Sequence, residues 1–486
     1  MATAFLGIDL GTSAVKVLAL SEDGAVIAKS RRSYPTHAPE IGWSEQSPES
    51  WWTATTEATR EVAAQLGGTS IGGVGLSGQL NGFVLLDEHD QPLQEAIIWL
   101  DRRATAEAEE LARECGARIE AVSGNRVSSI SVMSKLLWMS RHRPEVLAKA
   151  RRLLLVKDYI LWRLTGAHAT DPSDACATNL MDLASRKWSV ELCEIVGMAP
   201  GLLPRIVTST SAGGRTTLKA SAEAGIPEGL PVAPGGGDVV ALALGCGVIS
   251  DGPLGVTLGT AGHVVISTKR QLPRTGNGLW QLPHMIEDRM IWLGLIMAGG
   301  LSLSWLYRVA SLEPSTTSFE DFVALADTAA PGARGLIFLP FLEGAATPYE
   351  RPNARASFVG LTSSHGTAEL IRAVMEGVAF NLRQCVELFE EMGVSVSEVR
   401  LAEGGSRVSL WCQIIADILG KPVDLIEESD TSALGAAIAA QATVTKQPLA
   451  SIAERAVHIG RRYEPKQTTN FDTLFDRYRE LADMRV

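Results

Sequence analysis

Leu6-Gly7-Ile8-Asp9-Leu10-Gly11-Thr12-Ser13-Ala14-Val15-Lys16 reads as two apolar strands joined by a short turn of glycine and hydroxyl residues. Phe5 to Leu10 is the outgoing strand, Gly11-Thr12-Ser13 the turn, and Ala14 to Leu20 the returning strand. Ser21-Glu22-Asp23-Gly24 then turns the chain into a third strand, Ala25 to Lys29. No Walker loop, G-x-x-x-x-G-K-[ST], occurs in the chain, nor a G-x-G-x-x-G that opens a helix after a strand. A bound nucleotide would need another device.

The pattern returns near the middle of the 486 residues, as Gly255-Val256-Thr257-Leu258-Gly259-Thr260-Ala261. The chain therefore reads as two similarly built halves. Ser250-Asp251-Gly252-Pro253 is a turn, which puts the expected boundary after Ile249 and the domains at 1–249 and 250–486. Before it, Pro234-Gly235-Gly236-Gly237-Asp238 leads into a small-residue run, Val239 to Gly247, expected as a tightly packed helix. Elsewhere Ser70 to Ser77, Gly82 to Asp87, Arg152 to Val156, Gly335 to Pro340 and Val399 to Ala402 read as strands. Thr105 to Arg113, Glu369 to Met392, Ser409 to Leu419 and Phe471 to Met484 carry helical spacing, and the mixture predicts an α/β protein.

Composition narrows the function. Hydrophobic residues make up 46% and charged residues 20%, enough to bury large cores. Forty-four basic against 55 acidic residues give a net charge of −11, a field that does not attract nucleic acid. Cysteines 115, 176, 193, 246, 385 and 412 stand singly, as reduced thiols of a cytoplasmic protein do. No basic leader precedes the first apolar run, and Asp9 interrupts it. The uncharged stretch Met290 to Tyr307 is broken by Gly294, Gly299 and Gly300 and reads as a buried helix between domains, so no membrane partner is expected.

Two glycine-threonine turns, one per half, offer backbone N–H and hydroxyl donors that suit the oxygens of a triphosphate. Asp9 is placed to hold Mg²⁺, and Lys16 to reach a phosphate as a point charge. Taken singly, each turn also reads as an ordinary hairpin with Asp9 as its capping carboxylate.

These residues resemble the FGGY family of carbohydrate kinases, which share the duplicated, two-domain actin-like (ribonuclease H-like) ATPase fold with an interdomain cleft. Leu6 to Lys16 resembles its first phosphate motif and Gly255 to Gly262 its second. Leu401-Ala402-Glu403-Gly404-Gly405-Ser406-Arg407 with Trp411 resembles its adenosine motif. Ser134-Lys135-Leu136-Leu137-Trp138, and Phe358 to Leu361 through Glu376-Gly377, resemble its signature segments. Gly42-Trp43-Ser44-Glu45-Gln46, Gly78-Gln79, Trp99-Leu100-Asp101, Lys157-Asp158-Tyr159, Asp171-Pro172-Ser173-Asp174-Ala175 and Thr347-Pro348 resemble the xylulose-phosphorylating branch.

The resemblance implies ATP-dependent phosphorylation of a sugar hydroxyl, most closely that of D-xylulose, with ATP and Mg²⁺. It implies Asp238 as general base and Asp9 as organiser of the metal. Gly11, Thr12, Ser13, Lys16, Gly259, Thr260, Ala261, Gly404, Gly405 and Ser406 would hold ATP. Gln79, Leu80, Asn81, Trp99, Asp101 and Asp238 would hold the sugar. Trp99 also reads as core, Asp101 as a surface ion pair with Arg102, and Asp238 as a helix N-cap. A homodimer is a further implication.

Three departures fall at the sugar site. The branch typically carries Met-His where this chain has Leu80-Asn81, Asn where it has Val239, and Glu-Arg-Thr-Pro where it has Ala345-Ala346-Thr347-Pro348. A buried hydroxyl left unsatisfied loses about 1–3 kcal/mol. At about 1.4 kcal/mol per tenfold, that can change the preferred sugar, so another ketose, polyol or sugar acid stays open. A switch protein of the actin and heat-shock superfamily is the reading from another class, and it lacks the residues for a peptide-binding domain.

Overall fold

The computed structural model describes residues 2–269, 278–310, 318–466 and 470–485. Its principal elements begin with β1 (Thr3–Leu10), β2 (Ala14–Ser21), β3 (Val26–Ser33), α1 (Pro48–Gln65), β4 (Ser70–Gly78), α2 (Val132–His142), α3 (Val156–Thr165), α4 (Pro172–Ala177), β5 (Pro231–Gly237) and α5 (Asp238–Gly245). They continue with β6 (Pro253–Leu258), β7 (Gly262–Thr268), β8 (Met290–Ile296), α6 (Gly300–Ala310), α7 (Thr367–Glu391), β9 (Glu398–Ala402), α8 (Ser409–Leu419), β10 (Val423–Ile426), α9 (Thr431–Thr445), β11 (Ile459–Tyr463) and α10 (Asp472–Arg485).

The echo in the sequence is an echo in topology. In one sheet the strands lie in the order β3-β2-β1-β4-β5, and in the other β8-β7-β6-β9-β10. Each opens on an antiparallel hairpin, β1–β2 or β6–β7, whose first strand pairs in parallel with a later one, β4 or β9. The central strands are buried along nearly their whole length, so they read as continuous apolar runs rather than alternating ones.

Two compact units result, and they do not follow a single cut. One comprises Met1–Gly247, Gln281–Met290 and Asp430–Ala456; the other comprises Val248–Trp280, Ile291–Ser429 and Val457–Val486. The expected 1–249 and 250–486 division differs from these units at two returns of the chain. The larger is α9, which is apolar all round and lies against β1, β4 and α5. Glycine permits that approach: a Cβ at Gly7 would run into the carbonyl oxygen of Ala433, and one at Gly75 into that of Ala436. A Cβ at Gly435 would strike the Ala241 carbonyl in α5. The smaller return is clipped by Asn125, whose Nδ2 donates to the Gln281 carbonyl at 2.9 Å and whose Oδ1 accepts the Gln281 N–H at 2.8 Å.

A further expectation is corrected by the structure, and others are filled in. Met290 to Tyr307 is not one buried helix but strand β8 followed by α6. The terminal helix α10 belongs to the second unit, where Phe475 and Tyr478 lie 5.9 and 5.4 Å from the ring of Phe380 in α7. All six cysteines are free, and burial pushes the Cys176 and Cys385 thiols up to about 12. No helix among the described residues is long and apolar enough to cross a membrane.

Replacing Gly7 with Ala forces a methyl group onto backbone that cannot retreat without separating α9 from the sheet. Overpacking of this kind lowers stability by about 1–3 kcal/mol or more. Thermal unfolding of Gly7→Ala is expected to begin well below that of the wild type; an unchanged transition would contradict the packing described.

Candidate functional site

The first turn is held by its carbonyls. Tyr34 donates its hydroxyl to the Gly11 carbonyl, and Gln46 Nε2 donates to the Thr12 carbonyl at 2.6 Å. Because the trans peptide sets C=O and N–H in opposite directions, the N–H groups of Thr12 and Ser13 face away from these anchors. Burial and the nearby Asp9 charge both raise the Tyr34 pKa, which keeps the phenol a donor. Trp99 Nε1 donates to Thr12 Oγ1 at 2.8 Å. The indole can only donate, so the Thr12 hydroxyl accepts there and keeps its own proton for another acceptor. Trp99, half-buried, thus ties the 96–101 segment to the turn.

Asp9 closes this arrangement from below. The β1–β2 register places it opposite Lys16, and the β1–β4 register places it beside Ser77, which donates to Asp9 Oδ1 at 2.8 Å. Burial raises the Asp9 pKa, against the lowering effects of Lys16 and the Ser77 hydroxyl, and the Asp430 charge raises it further. Lys16 Nζ lies 3.2 Å from Asp430 Oδ1, just before α9.

The expected sugar residues follow β4. Gln79 and Asn81 are buried, and Gln79 Nε2 donates to Gln46 Oε1 at 2.9 Å. Gln79 Oε1 and Asn81 Oδ1 are buried acceptors without a hydrogen-bond partner. Asn81 has φ of 60°, in the left-handed region that asparagine tolerates better than most residues. Its carbonyl and that of Ile98 each accept from Lys135 Nζ at 2.8 Å, so a lysine with no exposed surface straps two loops together. Burial pushes that lysine's pKa well down. Leu80 packs against Gly237, where a Cβ would collide with its side chain.

Asp101 is corrected. It is fully buried rather than at the surface, and its ion partner is Arg103, not Arg102, at 2.8 Å. Oδ1 accepts from Arg103 N and Nε, and Oδ2 from Ser44 N at 2.6 Å and from Arg103 Nη2. Both oxygens of the carboxylate are thus engaged by groups of the protein, and they hold the 44 and 103 backbone to one another.

Asp238 begins α5 directly after three glycines and is half-exposed. Its Oδ1 accepts the Val239 N–H at 2.8 Å, and Ser432 Oγ of α9 donates to its carbonyl at 3.1 Å.

In the second unit, the turn after β6 is also held by its carbonyls. Gly259 O accepts from Gly300 N at 2.7 Å and Thr260 O from Leu301 N at 3.2 Å, both from the first turn of α6. The N–H groups of Thr260 and Ala261 therefore face the opposite way. Gly405 lies against Leu258, so the 404–406 segment and this turn are neighbours. Ser406 Oγ donates to the Glu403 carbonyl at 2.6 Å, and Glu403, at φ 67° and ψ −159°, occupies backbone space usual only for glycine. Gln46, Ser77, Lys135 and Ser173 carry no local mark in the sequence, because each acts by holding another residue.

Residues 4–245 match the model for the FGGY family of carbohydrate kinases, N-terminal domain, and residues 254–444 the model for its C-terminal domain. The xylulose kinase of Bacillus subtilis is 33% identical over 482 residues, which cover 98% of this chain and 96% of that one. The gluconokinase of the same organism is 31% identical over 449 residues, covering 90% and 87%. Among solved structures, the xylulose kinase from Rhodospirillum rubrum matches with a TM-score of 0.91 at 28% identity, covering 99% of this chain and 98% of that one.

The buried Asp9 makes a stability prediction. Its pKa is raised on folding, so the folded state loses stability as pH climbs through the folded-state value. At pH 7.5, Asp9→Asn should raise the melting temperature of the ligand-free protein by about 2 °C, with the gain shrinking toward acid pH. A lower melting temperature for the variant would contradict this.

Proposed function

This chain belongs to the FGGY family of carbohydrate kinases, and we propose that it transfers the terminal phosphoryl group of ATP to a hydroxyl of D-xylulose, with Asp238 as general base. The carrying observation is the pair of partnerless buried acceptors, Gln79 Oε1 and Asn81 Oδ1, on the loop whose Leu80 packs against the glycine before Asp238. Two amide oxygens left without donors await hydroxyl protons, which a sugar supplies in number. The glycines before Asp238 bring backbone close to the substrate, and the Val239 N–H fixes the carboxylate's rotamer. From there the carboxylate takes the hydroxyl proton as the new O–P bond forms.

The N–H faces of the Gly11–Ser13 and Gly259–Ala261 turns are the donors read as binding phosphate, and Gly404 and Gly405 admit the nucleoside against backbone. Asp9 fits a Mg²⁺ ion that arrives with the nucleotide: one buried carboxylate whose charge lacks full compensation, and no closed cage of three or more ligating side chains among the described residues. That ion would neutralise charge on the phosphoryl oxygens.

The preference for a neutral ketose rests on chemistry and on the named relatives. Lys135 donates to two carbonyls, Arg103 to Asp101 and Glu45, and Lys157 to buried carboxylates, so none is presented to a substrate carboxylate. Arg102, half-buried beside Trp99, is the cation through which a sugar acid would be read, and the gluconokinase relative makes that the second reading.

An ADP-release assay over ketoses, aldoses, polyols and sugar acids separates the two. D-xylulose should give the highest kcat/KM, with D-gluconate lower by about tenfold or more. Asp238→Asn should lower kcat by about a hundredfold or more while ATP still binds. Wild-type turnover in that variant would remove the base; faster turnover of gluconate would reassign the substrate.

A further inference from the structure

The Gly235-Gly236-Gly237 run before Asp238 has no side chains with which to anchor itself, so whatever fixes it must come from outside. The Gly237 N–H donates to Ser173 Oγ at 3.0 Å, and a Cβ at Gly236 would lie 3.1 Å from the same oxygen. Ser173 in turn donates its hydroxyl to Asp171 Oδ2, which also accepts the Ser173 N–H at 2.7 Å. A hydroxyl whose proton is committed to a carboxylate must present a lone pair to Gly237, so the direction of the chain is fixed. Capping of α4 by Asp171 would need only the second of these bonds.

The other oxygen of Asp171 lies 3.0 Å from Lys157 Nζ, which is also 2.7 Å from Asp158 and 3.3 Å from Asp174. Lys157 stands beneath the sugar loop as well: a Cβ at Gly78, just before Gln79, would sit 3.1 Å from its Cβ. Three carboxylates surround one ammonium, and every side chain is 0–1% exposed. Such an excess of buried negative charge calls for a proton. Asp174 is farthest from the ammonium, and neither of its oxygens has a hydrogen-bond partner. Burial, with Asp158 and Asp171 nearby, pushes its carboxyl well up despite Lys157.

We propose that Ser173 and Asp171 are positioning residues for Asp238, anchored on Lys157, and that the cluster's proton resides on Asp174. This rests on the reading of Asp238 as base. Two isosteric substitutions of neighbouring buried aspartates should then behave differently. Asp171→Asn loses a charged acceptor on which the Ser173 hydroxyl depends, whereas Asp174→Asn replaces a neutral acid by a neutral amide.

The test is steady-state kinetics on the full-length variants with D-xylulose and Mg-ATP, per folded enzyme from thermal melts. Ser173→Ala and Asp171→Asn should each lower kcat by about tenfold or more, with KM for Mg-ATP within about twofold. Asp174→Asn should keep kcat within about threefold of wild type. A purely structural role would lower melting temperature in both aspartate variants and leave kcat per folded enzyme alone. Ser173→Ala with wild-type kcat overturns the proposal even if Asp171→Asn fails to fold, and so does an Asp174→Asn loss equal to that of Asp171→Asn. Asp238→Asn run alongside separates the layers: its full turnover would sink the underlying reading, whereas its inactivity beside an unaffected Ser173→Ala sinks only this inference.

Discussion

The contact on which the first unit depends is backbone against backbone. Helix α9 reaches β1 at Gly7, β4 at Gly75 and α5 at its own Gly435, each a place where a single methyl group has no room. Interiors packed this tightly transmit position faithfully. Asp9 is the penultimate residue of β1 and Asp238 begins α5, so one helix sets the placement of both carboxylates. The same helix brings Asp430 to Lys16 and Ser432 to the Asp238 carbonyl. This is why residues 430–456 belong with the first unit although they lie near the end of the chain.

In each unit, polar groups are arranged to leave particular ones unspent. Carbonyls of both glycine turns are tied inward, by Tyr34 and Gln46 in one and by the start of α6 in the other, so their N–H groups face outward. Trp99 fixes the Thr12 hydroxyl as a donor. Gln79 and Asn81 keep buried acceptors without partners, Asp9 is desolvated, and Asn81 and Glu403 hold backbone conformations that most residues avoid. Each lowers the stability of the ligand-free protein, the kind of cost that a bound ligand can offset.

Much of this was legible in the sequence, for local reasons. Apolar runs punctuated by Gly-Thr turns located both hairpins, and their repetition located two sheets of one design. The return of α9 was not legible, because an alanine-rich helix says nothing about which sheet it will cover. Met290 to Tyr307 was misread because a short apolar run does not distinguish strand from helix. Asp101 found Arg103 instead of Arg102 because partner choice across a turn depends on loop geometry. Ser173, Gln46 and Lys135 act through distant backbone, a relation that no spacing encodes.

Substrate geometry tests the central claim most directly. A crystal structure with D-xylulose, Mg²⁺ and a nonhydrolysable ATP analogue should place an Asp238 carboxylate oxygen about 2.6–3.2 Å from one sugar hydroxyl, with Gln79 Oε1 and Asn81 Oδ1 accepting from others. A sugar bound in the same protein with its hydroxyls satisfied elsewhere, and Asp238 facing none of them, would contradict the account.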